Sequence, residues 1–187
     1  MKGLIIQNLQ GRKALFFFVI AGMLYTFMLI VTIPEVMLFS DGMKILDMMP
    51  TGYDAAYVKQ LFETLGTEGR QLYLTHQLPV DMVFPFFSAI GFSLVMAWIL
   101  KKLGKLNSLW FILCYLPFFA GAFDYLENFG IISLLIRYPS LSVTFIRIIN
   151  VFSVLKSSMT TIYSVGFLIL LVWWTAFEII QFRKIRS

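Results

Sequence analysis

The sequence predicts an all-α integral membrane four-helix bundle, with short amphipathic helices in its first outer loop. Three observations carry that prediction. Hydrophobic residues make up 59% of the chain and charged residues 13%, against roughly 45–50% and 25% in a soluble domain. The surplus is gathered into four apolar runs long enough to cross a bilayer. The Lys and Arg residues stand just outside those runs, where they act as topology signals. A net charge of +5 distributed in this way argues against a nucleic-acid partner. The whole chain, 1–187, reads as one domain.

A head with Lys2, Arg12 and Lys13 precedes the first span, about 14–33. A cleaved signal peptide is the rival reading, but its core would be long and Phe39-Ser40-Asp41 lacks the small-x-small cleavage pattern. Pro34 and Glu35 are expected to end this helix.

The outer loop, about 35–77, carries Glu35, Asp41, Asp47, Asp54, Glu63 and Glu68 against Lys44, Lys59 and Arg70. Within it Pro50-Thr51-Gly52 forms a turn and Asp54 caps a helix that Gly66 stops. Val58, Leu61, Phe62 and Leu65 give that helix one apolar face, so it lies on the bundle or at the lipid surface. Thr67 and Glu68 open a second helix that leads toward the next span.

The second span, about 78–100, ends at Lys101-Lys102 with Lys105 behind it. Pro79 and Pro85 each remove a backbone donor and predict a kink in its first half. The third span, about 109–136, contains Pro117, and Tyr138-Pro139-Ser140 is a turn. The fourth, about 145–180, belongs to a helix from near Ser142 to Phe182, roughly 60 Å long. That exceeds a bilayer, so its first turns should project beyond it. Lys2/Arg12/Lys13, Lys101/Lys102/Lys105 and Arg183/Lys184/Arg186 then share one side. Trp98, Trp110, Trp173 and Trp174 fall toward the same side as an interfacial belt. Both termini are predicted cytoplasmic, in a multi-pass protein of the plasma membrane.

The candidate chemistry centres on Gly121-Ala122-Phe123-Asp124-Tyr125-Leu126-Glu127-Asn128-Phe129. Ionisable groups inside a span cost roughly 2.5–3.5 kcal/mol on insertion scales, so they are functional-site candidates by default. Asp124, Glu127 and Asn128 share one helix face. Asp124 follows Lys105 by roughly 28 Å of helix and Asp81 precedes Lys101 by roughly 30 Å, which places both at one outer level. Lys156 is expected at that level too. Asn150, Ser153, Ser157, Thr160 and Ser164 form a stripe beside it, and Asp81, Pro85 and Ser88 form another on the second span. The expected site is an outward-opening polar cleft among spans two, three and four, bound by Asp81, Asp124, Glu127, Asn128, Lys156, Ser153, Ser157 and Thr160. Thr32 and Glu35 would form its rim. Each member has a plainer role to weigh against this one. Hydroxyl stripes hold membrane helices together, Lys156 can snorkel or pair with Asp124 and Glu127, and Asp81 can cap its helix. His76 reads as an interfacial or loop residue, and Glu178 as solvated near the inner boundary. With Cys114 and His76 the sole cysteine and histidine, neither a metal site nor Ser-His or Cys-His catalysis has raw material, and no cofactor is implied.

Gly66-Thr67-Glu68-Gly69-Arg70-Gln71-Leu72-Tyr73, Leu78-Pro79-Val80-Asp81-Met82-Val83-Phe84-Pro85 and Phe123-Asp124-Tyr125-Leu126-Glu127-Asn128 resemble a family of small uncharacterised bacterial four-span membrane proteins. That resemblance implies a bacterial inner membrane and no known activity. A fainter likeness, of topology only, is to the EXPERA group of sterol isomerases and sigma-2-type receptors. Its motifs do not align here and transfer no residue role.

The function expected is non-enzymatic binding of a small amphiphile, lipid or cation, or of a membrane protein partner. The alternatives are an intramembrane isomerase- or cyclase-like enzyme using Asp124, Glu127 or Asp81 as acid and base, and a structural subunit of a membrane complex. Four spans are few for a transporter, so that role would require a homo-oligomer.

Overall fold

A computed structural model describes the backbone of residues 1–186 and the side chains of residues 1–183. Lys184 and Arg186 of the last basic cluster therefore lie outside the described side chains. Seven α-helices follow in order: α1 (Lys2–Gln7), α2 (Gly11–Phe27), α3 (Ile33–Met37), α4 (Ala55–Leu72), α5 (Leu78–Lys102), α6 (Leu116–Arg137) and α7 (Val143–Arg186). Four stretches are long and apolar enough to cross a membrane: Gly11–Met37, Gly66–Lys102, Leu109–Arg137 and Val143–Arg183. The protein is an all-α bundle of four such spans, an integral membrane protein by this architecture.

Helix α5 is the centre of the bundle, with α2 packed along one side and α6 along the other; α7 runs along α6 and touches α5. The α2–α5 contact is close because Gly91 has no side chain. A Cβ there would stand 2.8 Å from the backbone nitrogen of Phe18.

Prolines shape the spans differently from expectation. Pro34 does not end the first helix. A π-helical turn, Met28–Thr32, precedes it, and the N–H of Ile33 reaches back five residues to the carbonyl of Met28. The same device recurs before Pro79, where the turn is Tyr73–Gln77 and Leu78 bonds to Tyr73. Widening the turn shifts the bonding register where a proline lacks its donor, so the chain continues as helix. The third span contains Pro117, as expected. Leu109–Cys114 is a 3-10 helix, and Pro117 sits in the first turn of α6, where a missing N–H costs nothing.

The head is also helical: α1 buries Ile5 against the inner end of α5, and Lys2 Nζ donates to Asn107 Oδ1 at 3.0 Å. In the outer loop Asp54 caps α4 by accepting from the Tyr57 N–H at 2.7 Å. Gly66, at φ +61°, bends α4 between its two halves, after which the chain runs through the π turn into α5. The apolar face Val58, Leu61, Phe62 and Leu65 is buried on the bundle. The projecting first turns of α7 are covered by it, since Ile146 and Ile149 share that core.

Two apolar cores result. The outer one joins the loop and α4 to Leu78, Ile131, Leu134, Ile146 and Ile149. The inner one joins α1 and the inner ends of the spans, including Leu94, Ala120, Tyr163 and Leu170. Trp98–Trp174 and Trp110–Trp173 ring pairs lie at the end of the bundle that carries α1. The level between the cores is polar on three helices, and the site lies there.

Candidate functional site

The polar level begins with a break in a helix. Pro85 has no N–H, so the carbonyl of Asp81, four residues earlier, loses its intrahelical donor. Asn128 of α6 replaces it, donating Nδ2 to that carbonyl at 3.1 Å. Asp81 and Asn128 are thereby tied together through backbone, and α6 lies close at this point, with a Cβ on Gly121 falling 3.3 Å from the Pro85 carbonyl.

On α6, Asp124, one turn before Asn128, and Glu127, next to it, converge on α7. Lys156 Nζ lies 2.8 Å from Asp124 Oδ1 and 2.8 Å from Glu127 Oε2. Both acids are buried, Glu127 completely. A single ammonium thus bridges two carboxylates, and the fourth helix is held to the third by charge. Asp81 is left out of the bridge. It is 4% exposed, and its Oδ2 has no hydrogen-bond partner within the protein.

Asp81, Asp124 and Lys156 line a cavity of about 590 Å³. Ser157, Thr160 and Ser164 of α7 also face it, as do Pro85 and Ser88 of α5. Glu127, Asn128 and Ser153 are buried but do not form its wall; they stand behind it. Asn150, outside the cavity, accepts from the Tyr53 N–H at 2.7 Å and so anchors the outer loop.

Span one was expected to give only a rim, Thr32 and Glu35; neither lines the cavity, yet Phe18, Ala21, Gly22, Tyr25, Met28 and Leu29 form one side of it. These residues carry no polar stripe, so periodicity gave no sign of them. The floor is aromatic. Phe18, Phe92 and Phe167 stack edge-on or tilted, with ring centroids 5.1–5.8 Å apart.

The outer end is roofed by Asp47, Met48 and Pro50 of the loop. Asp47 accepts from the Tyr73 hydroxyl at 3.2 Å and from Gln77 Nε2 at 3.3 Å. Gln77 is also hydrogen-bonded to Thr32, so the last residues of the two π turns meet. Burial pushes the Asp47 carboxyl up to about 7. The Lys156 ammonium works against that rise, and the charges of Glu127 and Asp124 add to it. Asp47, Tyr73 and Gln77 were missed as site residues. The available signal was one acid inside the apolar pentad Ile45-Leu46-Asp47-Met48-Met49. Outside this layer, His76 Nδ1 lies 3.0 Å from Glu35 Oε2, a surface pair rather than part of the cavity wall.

Among the described residues, no group of three or more His, Cys, Asp or Glu side chains is disposed to hold a metal ion. In comparisons with known proteins, no family model matches the chain, and no curated protein or solved structure matches it significantly.

Proposed function

We propose that this multi-pass membrane protein binds a small amphiphile carrying a protonated amine, with the ammonium docked on Asp81 and the apolar body in the cavity. The observation that carries the reading is Asp81 Oδ2, a buried carboxylate oxygen on the cavity wall with no partner in the protein. Unpaired polar groups are costly inside low-dielectric surroundings, and an arriving donor relieves that cost. The charge balance points the same way. Lys156 is shared by Asp124 and Glu127, which leaves Asp81 and the roof carboxylate Asp47 without a counter-charge. A cavity of about 590 Å³ is of the size that takes small organic ligands, roughly 300–1,000 Å³. The floor and the α2 wall are apolar and aromatic, which suits a hydrocarbon body better than a hydrated ion.

In this reading Ser157 and Thr160 hydrogen-bond the polar end of the ligand, while Asn128, Glu127 and Ser153 hold the wall in place. The three basic clusters, read as topology signals, support a polar level in the outer half of the bilayer with both termini in the cytoplasm. The likeness of the Asp81 and Asp124–Asn128 stretches to small bacterial four-span proteins supports a bacterial inner membrane.

Thermal stabilisation of the purified protein by dodecylamine, compared with dodecanol and dodecanoate, tests the assignment. Dodecylamine should bind the native protein more tightly than either. Asp81→Asn, which keeps the shape and removes the charge, should weaken it by about 10- to 100-fold, the worth of a charge-assisted hydrogen bond of roughly 1.5–3 kcal/mol. Equal binding of the amine and the alcohol, or an Asp81→Asn protein that binds as before, refutes it.

A further inference from the structure

The cavity is closed at both ends and open on one side. Its floor is formed by Phe18 and Phe92, with the Phe167 ring packed against both. Its roof is the loop at Asp47, locked through Gln77 to Thr32 and through Tyr73, and backed by the fully buried Ile45 and Leu46. Between these ends α2 and α7 do not pack along one another. Their ring contact at Phe18 and Phe167, 5.8 Å between centroids, lies at the floor.

Above that contact, residues of both helices face the cavity and the exterior at once. Gly22 and Tyr25 of α2, and Leu29 in the π turn after it, are exposed and line the cavity, and Thr161 does the same on α7. The hydroxyl of Thr161 is satisfied by the Ser157 carbonyl at 2.8 Å, as a polar group facing hydrocarbon requires. Phe18 and Gly22 also border a second, shallower groove on the outside of α2, about 630 Å³ in volume, with Val19, Met23, Thr26 and Ile30. Cavity and groove therefore meet at Gly22. A Cβ built there touches no atom within 4 Å, so the missing side chain leaves a gap that no neighbour fills.

We propose that the ligand enters and leaves sideways, from the hydrocarbon of the bilayer, through a port between α2 and α7 whose threshold is Gly22. The outer groove guides the approach, and the cavity is the final seat. This rests on the binding reading above and narrows its ligand class to single-chain amphiphiles that partition into the membrane. A water-borne ligand would instead have to break the roof of buried apolar residues and the Asp47 hydrogen bonds.

The port can be plugged after folding is complete. Gly22→Cys and, on the opposite side, Thr161→Cys are each placed in phosphatidylcholine nanodiscs and converted with hexyl methanethiosulfonate to the S–S-linked hexyl disulfide, releasing methanesulfinate. The native Cys114 is fully buried and does not compete. The rate at which bound radiolabelled dodecylamine exchanges is then measured beside its equilibrium affinity. Either plug should slow exchange by at least about tenfold, a barrier increase of roughly 1.4 kcal/mol, and reduction with dithiothreitol should restore it. Gly22 and Thr161 both line the cavity, so a port requires exchange to slow by more than any accompanying change in affinity accounts for. Exchange unchanged by both plugs, in proteins that still bind dodecylamine, overturns the port and leaves the binding site standing. Absence of dodecylamine binding to the unmodified protein overturns the site and the port together.

Discussion

Lys156 and Asp81 show how differently buried charges are handled within one level. Lys156 serves two acids at 2.8 Å, so removing it strands both. Breaking a buried ion pair from one side costs about 3–5 kcal/mol, whereas replacing the whole set by neutral groups is often tolerated. Lys156→Met should therefore lower the melting temperature sharply, and adding Asp124→Asn with Glu127→Gln should recover most of the loss. A triple variant no more stable than Lys156→Met would show that the bridge does not hold α6 to α7. Asp81, with a free oxygen already, should behave in the opposite way: Asp81→Asn leaves no charge stranded. Asp81, Asp124 and Lys156 could be placed at one depth from the sequence, because helical rise converts spacing from the basic clusters into distance. Which acid Lys156 would take could not be read there. That depends on the rotation of α7 about its axis, which is set by packing partners such as Gly130 against Ile149.

At the level of the helices, the prolines decide where polar groups must appear. Pro34 and Pro79 are each preceded by a π turn, and Pro85 by a carbonyl that Asn128 satisfies from another helix. Asn128 is thus tied to Pro85, which makes a double-mutant cycle decisive. Asn128→Leu alone should cost roughly 1–3 kcal/mol by leaving the Asp81 carbonyl bare. In a Pro85→Ala background the alanine N–H bonds that carbonyl, and the same change should cost less by at least about 1 kcal/mol. Additive losses in chemical denaturation would mean that the two residues are independent. The spans, the Asp54 cap and an interruption at Gly66, expected as a stop and found as a kink between two helical halves, were legible because hydropathy, capping chemistry and glycine's backbone freedom are local. The π turns were not, because a proline reads as a stop unless its neighbours supply a wider turn. Nor was the helical head α1, a single short turn-and-a-half stabilised by its contact with α5 rather than by its own residues.

Across the whole molecule, a polar level is held between two apolar cores, and the loop at Asp47 roofs it. Asp47 ties that roof down, since it accepts hydrogen bonds from Tyr73 and Gln77. Its carboxyl is raised from the ordinary 3.8 to about 7 by burial. Between those two values the folded protein holds a proton that the unfolded chain has released. Stability from this group is therefore greatest at the acid end of the window, falls as pH rises through it, and is level above about 7. Of the nearby charges, the Lys156 ammonium works against the upward shift of Asp47, while Glu127 and Asp124 add to it. The roof should accordingly be held more firmly at about pH 5 than at about pH 8, with a higher melting temperature and slower amide exchange, corrected for intrinsic rates, over residues 45–53. Asp47→Asn keeps an acceptor for Tyr73 and cannot ionise, so it should flatten both differences. If the roof of the Asp47→Asn protein still loosens with rising pH as in the native protein, the pH dependence belongs to other carboxylates and the loop closes independently of Asp47.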